Sequence, residues 1–222
     1  MKRPYFFHHT LGYKKNPFGA LTQAELTAVA FLPKAIHVLL QTDFGHLQLL
    51  GGNGCGKTST MFKIMAQFAH SGHSIAYEYI PEGTNKFETN ITGLDCFFLD
   101  EAQRLSWRQR RRWLKQGSNV QYIFSSHQDL TSAFTKHALP LQSINIETFI
   151  TVDYYAQWLN NRLAHFALPE VERVTIDDTA VSYLFNTFGP NIREAEYFLY
   201  DIWQNLTEPR LITAQTLQKS RH

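Results

Sequence analysis

Short apolar runs and longer amphipathic stretches alternate along the chain up to about residue 150. The short runs lie at residues 46–50, 74–80, 96–99 and 120–124. Runs of this length, bounded by glycine and polar residues, are typical of strands buried in a parallel sheet. The stretch 59–71 instead places its large apolar residues on one helical face, namely Met61, Ile64, Met65 and Phe68. The pattern therefore predicts an α/β core with a parallel sheet.

Helical periodicity alone describes the chain after residue 150. Three helices are predicted, each from a capping residue to its end: Asp153 to Ala167, Asp177 or Asp178 to Phe188, and Asn191 to Leu206. A fourth helix is expected from Thr213 onward. The sequence therefore predicts a core over residues 1–150 and a small all-helical region over residues 151–222.

Local signals also mark the connections around the sheet. Thr22 and Glu25 have the spacing of a capping box, which predicts a helix before the first strand. Pro33 then predicts a kink or a new helix start, because proline has no N–H to donate. The polar linker 81–93 predicts that a helix between the second and third strands is short or missing.

Residues 51–59 carry the most specific signal in the chain. They match the spacing Gly-x-x-x-x-Gly-Lys-Ser/Thr of a phosphate-binding loop between a predicted strand and a predicted helix. The residues of this loop are Gly51, Gly52, Asn53, Gly54, Cys55, Gly56, Lys57, Thr58 and Ser59. Its backbone N–H groups can surround a phosphate, while Lys57 can reach the outer phosphates and Thr58 can bind Mg²⁺. A glycine-rich turn without a ligand is the alternative, and the flanking strand and helix disfavour it.

A second acidic element follows the apolar run that begins at Cys96. This run ends in Asp100 and Glu101, as a buried strand does when it delivers carboxylates to its carboxyl end. Asp100 is expected to hold Mg²⁺, and Glu101 to activate the water that attacks the terminal phosphate. Solvated acids at a strand end are the alternative. The phosphate-binding loop favours the catalytic interpretation.

Two further positions are candidates for sensing the phosphate. Ser126 and His127 follow the run 120–124, where polar side chains can emerge beside a phosphate or its water. Arg193 lies in the first turn of the helix that Asn191 is predicted to cap. Taken alone, Arg193 is better explained by a surface charge.

These motifs, in this order, resemble an AAA+ ATPase. The order is a Walker A loop, Walker B residues Asp100 and Glu101, a polar sensor 1 after the fourth strand, and a sensor 2 arginine in the segment 189–194. More narrowly, the chain is similar to the branch that contains ExeA-type secretion ATPases and the transposition ATPases TnsC, TniB and IstB. Residues 11–18 resemble the opening of ExeA-like chains, and residues 153–163 resemble their first lid helix.

The resemblance implies a three-layer P-loop NTPase (AAA+) core with a parallel sheet, followed by an all-helical lid that carries Arg193. It implies that Asn16, Pro17 and Phe18 form one wall of the adenine pocket, although simple packing explains these residues equally well. It also implies ATP and Mg²⁺ as ligands, with His127 or Ser126 as sensor 1. Assembly of several copies into a ring or filament is expected as well.

One stretch departs from the family pattern. Family members usually carry an arginine before the fifth strand that acts on the neighbouring subunit's nucleotide, whereas residues 133–140 contain none. Lys136 is the candidate substitute, but a lysine lacks the planar fork that spans two phosphate oxygens. Hydrolysis is therefore expected to be slow or to depend on a partner.

Basic residues cluster just after the Walker B strand. Helical spacing places Arg104, Arg108, Arg111 and Lys115 on one face, with Trp107 and Trp113 interleaved. A solvated helix face is the simpler interpretation. The alternative is a surface that contacts DNA phosphates or another subunit.

Composition indicates a folded protein without an unusual charge bias. The 222 residues are 44% hydrophobic and 18% charged, and the formal net charge is only +2, which does not by itself indicate a nucleic-acid partner. Cys55 lies inside the phosphate-binding loop, where a disulfide would obstruct a ligand, so a reducing cytoplasm is expected. No run of 18 apolar residues occurs, so no membrane insertion is expected.

Two functional hypotheses follow from these features. The first is a DNA-linked ATPase of a mobile element, which assembles on duplex DNA and recruits a partner protein. The second is a nucleotide-gated, protein-binding ATPase subunit of a secretion or defence complex without DNA contact. An ABC-type ATPase is excluded, because its Leu-Ser-Gly-Gly-Gln signature is missing. A nucleotide kinase stays open, although no acceptor site is recognisable.

Overall fold

The computed structural model describes residues 7–221, whose contacts form two compact units. The sheet unit is Phe31–Phe149, and the helical unit combines residues 7–30 with residues 150–221. The helices are α1 (Gln23–Val29), α2 (Lys34–Leu39), α3 (Lys57–His70), α4 (Trp107–Lys115), α5 (Thr131–Thr135), α6 (Val152–Phe166), α7 (Asp178–Phe188), α8 (Ile192–Asn205) and α9 (Ala214–Lys219). The strands are β1 (His46–Leu50), β2 (Ile75–Tyr79), β3 (Cys96–Asp100), β4 (Gln121–Ser126), β5 (Leu141–Asn145), β6 (Thr175–Ile176) and β7 (Leu211–Ile212).

The sheet unit contains the predicted parallel sheet, in the order β2-β3-β4-β1-β5. Every pairing between these neighbours is parallel. All of β3 is buried, which explains why its sequence is continuously apolar up to the final acid. The register aligns the carboxyl ends, with Tyr79 opposite Asp100 and Leu50 opposite both Ser126 and Asn145. This edge therefore gathers chain segments that are far apart in sequence.

Helices and aromatic side chains cover the sheet on the side of α4. Trp113 of α4 is buried, and its ring lies 5.1 Å from Phe124 and 5.5 Å from Phe134, measured between ring centroids. Tyr122 also donates a hydrogen bond to the Trp113 carbonyl at 2.8 Å. Trp113 is interleaved with the basic residues in sequence, and its indole ring packs into the core of the sheet unit.

The connection from β2 to β3 contains no helix, as the polar linker predicted. Glu78 holds this linker in place, because its carboxylate accepts hydrogen bonds from the backbone N–H groups of Glu88 at 2.7 Å and Thr89 at 2.8 Å. Backbone groups without secondary structure need such partners when they lie against a sheet. The core is smaller than one with a full crossover helix at this point.

Helix starts agree with the caps read from the sequence at three of four places. Thr22 and Glu25 form the capping box of α1, and Asp177 and Asn191 accept hydrogen bonds at the starts of α7 and α8. At α6 the cap is Thr151, whose hydroxyl accepts from Tyr154 N at 3.2 Å, so the choice of Asp153 was wrong. Asp153 lies in the first turn instead, where a negative charge interacts favourably with the positive end of the helix dipole.

The segment before Ala30 packs within the helical unit, which differs from the predicted core of residues 1–150. Tyr13 and Phe18 are buried, and the Phe18 ring lies 4.8 Å from that of Trp203 in α8. Asn16 donates to the Tyr200 carbonyl at 3.1 Å. These long-range contacts with α8, which sequence spacing does not reveal, explain why the segment groups with the helices.

Arg162 in α6 joins the same segment to α8 and supplies a test of this packing. It is 3% exposed, forms a salt bridge with Glu196, and donates to the backbone carbonyls of Pro17 and, at 3.1 Å, Gly19. Burial lowers the pKa of Arg162 and raises that of Glu196, so each group depends on the other as a partner.

Replacing Arg162 by alanine is expected to lower the free energy of unfolding by about 3–5 kcal/mol, because it leaves the partly buried Glu196 carboxylate without its cation and removes the hydrogen bonds to the Pro17 and Gly19 carbonyls. Thermal and urea denaturation followed by circular dichroism would measure the change. The exposed Arg210, replaced by alanine, is the matched control and should change stability by less than about 0.5 kcal/mol. Equal stabilities of the two variants would contradict the structural role assigned to Arg162.

Cys55 and Cys96 are both buried free thiols. Within residues 7–221, every helix falls short of the length and apolar character that crossing a bilayer requires.

Candidate functional site

The loop between β1 and α3 has the backbone geometry that its glycines permit. Gly51 has φ of 148° and Gly56, which precedes α3, has φ of 90°. A Cβ at Gly51 would lie 2.5 Å from the Cys55 sulfur, so a larger residue would displace the loop. Among the other loop residues, Asn53 is exposed and Ser59 is half-buried. Burial raises the pKa of the Cys55 thiol. The loop is therefore a tight backbone turn with an inert thiol at its base.

Lys57 begins α3, two residues earlier than the sequence indicated. It is 6% exposed, and its Nζ donates to the carbonyls of Gly51 at 2.9 Å and Gly52 at 2.6 Å. A buried ammonium needs acceptors, and these carbonyls belong to the loop itself. The side chain consequently lies across the turn, where an anion held by the loop would meet its charge.

Thr58 and Asp100 meet at the carboxyl edge of the sheet. Thr58 Oγ1 donates to Asp100 Oδ2 at 2.8 Å, and Ser125 Oγ donates to Asp100 Oδ1. Tyr77 Oη lies 3.4 Å from Asp100 Oδ2, and burial, together with the Asp100 charge, raises the pKa of Tyr77. Asp100 is 2% exposed, and its carboxylate accepts hydrogen bonds from hydroxyl groups. Oxygen atoms from a carboxylate and a hydroxyl side by side suit Mg²⁺.

Glu101 is held in place by both its backbone and its side chain. Its φ is 66°, a left-handed conformation that non-glycine residues rarely adopt, and its N–H donates to Ser125 Oγ at 2.9 Å. The carboxylate accepts from Gln103 Nε2 at 2.7 Å, and lies 3.2 Å from Arg104 on one oxygen and 3.2 Å from His127 Nε2 on the other. These contacts fix the direction of the carboxylate beside Asp100.

Ser126 and His127, the two candidates for sensor 1, have different surroundings. Ser126 is fully buried, donates to the Gln128 carbonyl at 2.6 Å and accepts from Gln128 N at 3.0 Å, so its hydroxyl closes a turn. His127 contacts Glu101, and its backbone N–H donates to Gln103 Oε1 at 3.2 Å. His127 therefore belongs to the same side-chain network as Glu101.

Four residues of this site were missed by sequence reasoning: Tyr77, Gln103, Ser125 and Glu147. Ser125 and Gln103 adjoin recognised motifs, and their position beside two strand ends was an available signal. Glu147 accepts a hydrogen bond from the backbone N–H of Gly52. This contact and that of Tyr77 with Asp100 depend on strand register and on the turn after β5, which no local pattern reports.

Arg104 does not extend the basic face of α4. It lies in the short turn before the helix, and its guanidinium donates to the Ile80 carbonyl at 2.7 Å and to Tyr79 Oη at 3.0 Å. The remaining basic face of α4 consists of exposed side chains: Arg108, Arg111, Arg112 and Lys115. Trp107 precedes them and is 68% exposed, with the Arg108 guanidinium 5.3 Å from its ring centroid.

Several predicted residues lie outside the loop region. Lys136 is exposed at the end of α5 in the sheet unit. In the helical unit, Arg193 is exposed in the first turn of α8, whereas Asn16 and Phe18 are buried. The side chains of Asn16 and Phe18 are used in packing, and the adenine contact expected of the Asn16–Phe18 segment stays a prediction.

Solved structures with a similar fold include AAA+ ATPases. The RuvB Holliday junction branch migration motor of Thermotoga maritima matches with a TM-score of 0.57 and 16% identity, over 89% of this chain and 66% of RuvB. AMPPCP-bound DnaA from Aquifex aeolicus matches with a TM-score of 0.52 and 16% identity, over 78% of this chain and 63% of that one. Domain III of the Thermotoga maritima replication initiation protein DnaA matches with a TM-score of 0.59 and 13% identity, over 91% of this chain and 97% of the domain.

The fold is that of an AAA+ P-loop ATPase. No family model and no curated protein matches the sequence. This chain spans just under two thirds of the RuvB and Aquifex DnaA chains, at 66% and 63%. The likeness establishes the AAA+ architecture, while the narrower resemblance to ExeA, TnsC, TniB and IstB stays a prediction.

Proposed function

We propose that this chain is an ATP-binding and ATP-hydrolysing switch. The observation that carries the proposal is the 2.8 Å contact between Thr58 Oγ1 and Asp100 Oδ2, beside the loop that Lys57 crosses. It joins the last residue of the Walker A motif to the Walker B acid, where both oxygens can bind the same Mg²⁺. The AAA+ fold supports the same activity.

Each residue of the site has one expected role. The loop N–H groups and Lys57 bind the phosphates, and Thr58 and Asp100 hold Mg²⁺. Bound Mg²⁺ would neutralise charge on the phosphates. Glu101 accepts the proton of the attacking water, and its fixed direction beside Asp100 supports this role. His127, as a neighbour of Glu101, is the preferred sensor of the terminal phosphate, and Ser126 is the second choice.

Arg193 is proposed to link the helical unit to the nucleotide. It is exposed at the start of α8, the end of a helix where a cation is least favourable. Burial raises the pKa of Glu196, three residues on in the same helix, and the Arg193 charge lowers it, which gives the arginine a structural use beside the proposed role as sensor 2. The AAA+ resemblance implies that Arg193 contacts the phosphates of a bound nucleotide, and its exposed side chain is consistent with that role.

Calorimetric titration with millimolar ATP and Mg²⁺ tests the proposal, followed by measurement of released phosphate. Binding heat and slow phosphate release are expected. A folded protein that yields no heat beyond dilution with either ATP or GTP would overturn the proposed function.

We further propose that the nucleotide state controls binding to duplex DNA and recruitment of a partner protein. The support is the exposed face of α4, where four cations lie on one side of a nine-residue helix. Each such cation that meets a phosphate releases a counterion, which makes affinity steeply dependent on salt. The resemblance to transposition ATPases favours a role for this activity in a mobile-element machine.

Replacing Arg108, Arg111 and Lys115 together by alanine is expected to weaken DNA binding at least about 100-fold at low salt and to lower the salt slope by about 0.9 for each lost phosphate contact. Fluorescence anisotropy with labelled duplex DNA and an ATP analogue at two salt concentrations measures both quantities. The matched control replaces the exposed Lys34, Arg173 and Arg210, which removes equal charge elsewhere. Equal losses in both triple variants would contradict a specific role for α4.

A protein-binding subunit without DNA contact is the alternative function. The near-neutral net charge of +2 favours it, because the whole chain does not attract polyanions strongly. In both cases we propose assembly of several copies, with the exposed Lys136 as the candidate that acts on a neighbour's nucleotide. No DNA binding at any salt concentration would leave this alternative as the proposed function.

A further inference from the structure

A carboxylate lies on the phosphate-binding loop itself. Glu147 Oε1 accepts a hydrogen bond from the backbone N–H of Gly52, with 2.6 Å between the two atoms. Backbone N–H groups of such a loop are the donors that a phosphate oxygen requires. The carboxylate is thus bonded to the donor that the nucleotide needs.

The fold places Glu147 at this position through β5. Asn145 ends β5 opposite Leu50, the last residue of β1, so the turn after β5 lies beside the loop that follows β1. Asn145 Oδ1 accepts from Glu147 N at 3.1 Å, and the Thr148 hydroxyl donates to the Asn145 carbonyl at 2.7 Å. The direction of the Glu147 side chain therefore follows from the sheet register and from the turn.

The close approach also depends on glycine at position 52. A Cβ at Gly52 would lie 2.9 Å from Glu147 Oε1, so the carboxylate would have to move away from the loop. Within residues 7–221 no salt bridge involves Glu147. Burial is the main reason for the raised pKa of Cys55, Lys57 lowers this pKa, and the Glu147 charge raises it further, so Glu147 lies close enough to act on the loop. The Glu147 carboxylate, which has no salt-bridge partner among these residues, therefore lies beside the proposed phosphate-binding site.

We infer that Glu147 is a specificity-determining residue that competes with the nucleotide for the loop. This inference rests on the proposed function and deepens it. A triphosphate must displace the carboxylate from Gly52 and then sit beside its charge, so Glu147 weakens binding most for the most highly charged ligand. Neutralisation of the phosphates by Mg²⁺ reduces this penalty. Glu147 therefore favours Mg-ATP over metal-free ATP.

Glu147→Gln is the decisive variant, because glutamine keeps an oxygen that accepts from Gly52 N–H while it removes the charge. We expect Glu147→Gln to bind metal-free ATP at least about tenfold more tightly, with a smaller gain for Mg-ATP and for ADP. Glu147→Ala removes the hydrogen bond as well and is expected to show at least the same gain. Isothermal titration calorimetry with ATP, Mg-ATP and ADP at constant ionic strength provides the affinities.

Asp43→Asn is the matched control, since Asp43 is an exposed acid of the same unit before β1, at the opposite end of the strand from the loop. It removes one negative charge and should leave all three affinities unchanged. Melting temperatures of all variants establish that each protein is folded.

Two results overturn the inference in distinguishable ways. Equal or weaker binding of nucleotide by folded Glu147→Gln and Glu147→Ala overturns the role of Glu147 and leaves the proposed function intact. Failure of the wild type and of both variants to bind any nucleotide overturns the proposed function and this inference together.

Discussion

Replacing Lys57 by alanine is expected to abolish ATP binding, with an affinity at least about 100-fold weaker than that of the wild type. The buried ammonium makes two hydrogen bonds to loop carbonyls, and it is the only cation that the phosphate-binding motif itself supplies. When ATP binds, Lys57 is expected to donate two charge-assisted hydrogen bonds to phosphate oxygens. At roughly 1.5 kcal/mol each, their loss corresponds to about 100-fold in affinity. Titration calorimetry or a fluorescent ATP analogue would measure the loss.

Lys63→Ala provides the matched control for this experiment. Lys63 lies on the same helix α3 but outside the loop motif, so its removal changes net charge without touching the proposed phosphate contacts. Circular dichroism must show that both variants are folded, since Lys57 is buried. Wild-type affinity in a folded Lys57→Ala protein would remove the loop from the binding site.

Replacing Glu101 by glutamine is expected to reduce ATP hydrolysis by about 10²–10⁴-fold while nucleotide affinity stays within a few-fold of wild type. Glutamine has nearly the same shape and keeps one acceptor oxygen for Gln103 or Arg104, so the local structure should persist. It cannot accept a proton from water at neutral pH. Bound triphosphate should therefore accumulate, which quench and nucleotide analysis of the isolated complex would detect.

Glu82→Gln is a suitable comparison, because Glu82 is an exposed acid in the linker after β2. It should hydrolyse ATP at the wild-type rate. Unchanged hydrolysis in Glu101→Gln would refute the assignment of Glu101 as general base, and loss of binding in that variant would assign the residue to nucleotide affinity instead.

The predicted elements that proved correct rest on short-range physical rules. A continuous apolar run of strand length identified β3, because a strand buried on both faces favours apolar side chains on both. The glycine spacing of residues 51–56 required a tight turn, and the structure has positive φ angles there. Caps at Thr22, Asp177 and Asn191 were likewise readable, since each hydrogen bond spans three residues.

Other features depended on contacts between distant parts of the chain. The spacing of Arg104 fitted a basic helical face, but its guanidinium donates to the Ile80 carbonyl after β2. Trp113, interleaved with the basic residues, packs into the core. Residues 7–30 precede the sheet in sequence and yet pack with α6 and α8. Hydrophobic periodicity reports that a residue is buried, and it does not report against which element.

The residues of the site fall into the same two groups, those predicted from the sequence and those that only the tertiary structure brings together. The sequence was sufficient to predict the phosphate-binding loop and the acidic pair, because glycines, a lysine and carboxylates at these spacings have few other uses. The shell around Glu101 and the bond from Gly52 to Glu147 could not be read in this way. They arise where parallel strands end at one edge, and the register that aligns those ends is set by packing over the whole sheet.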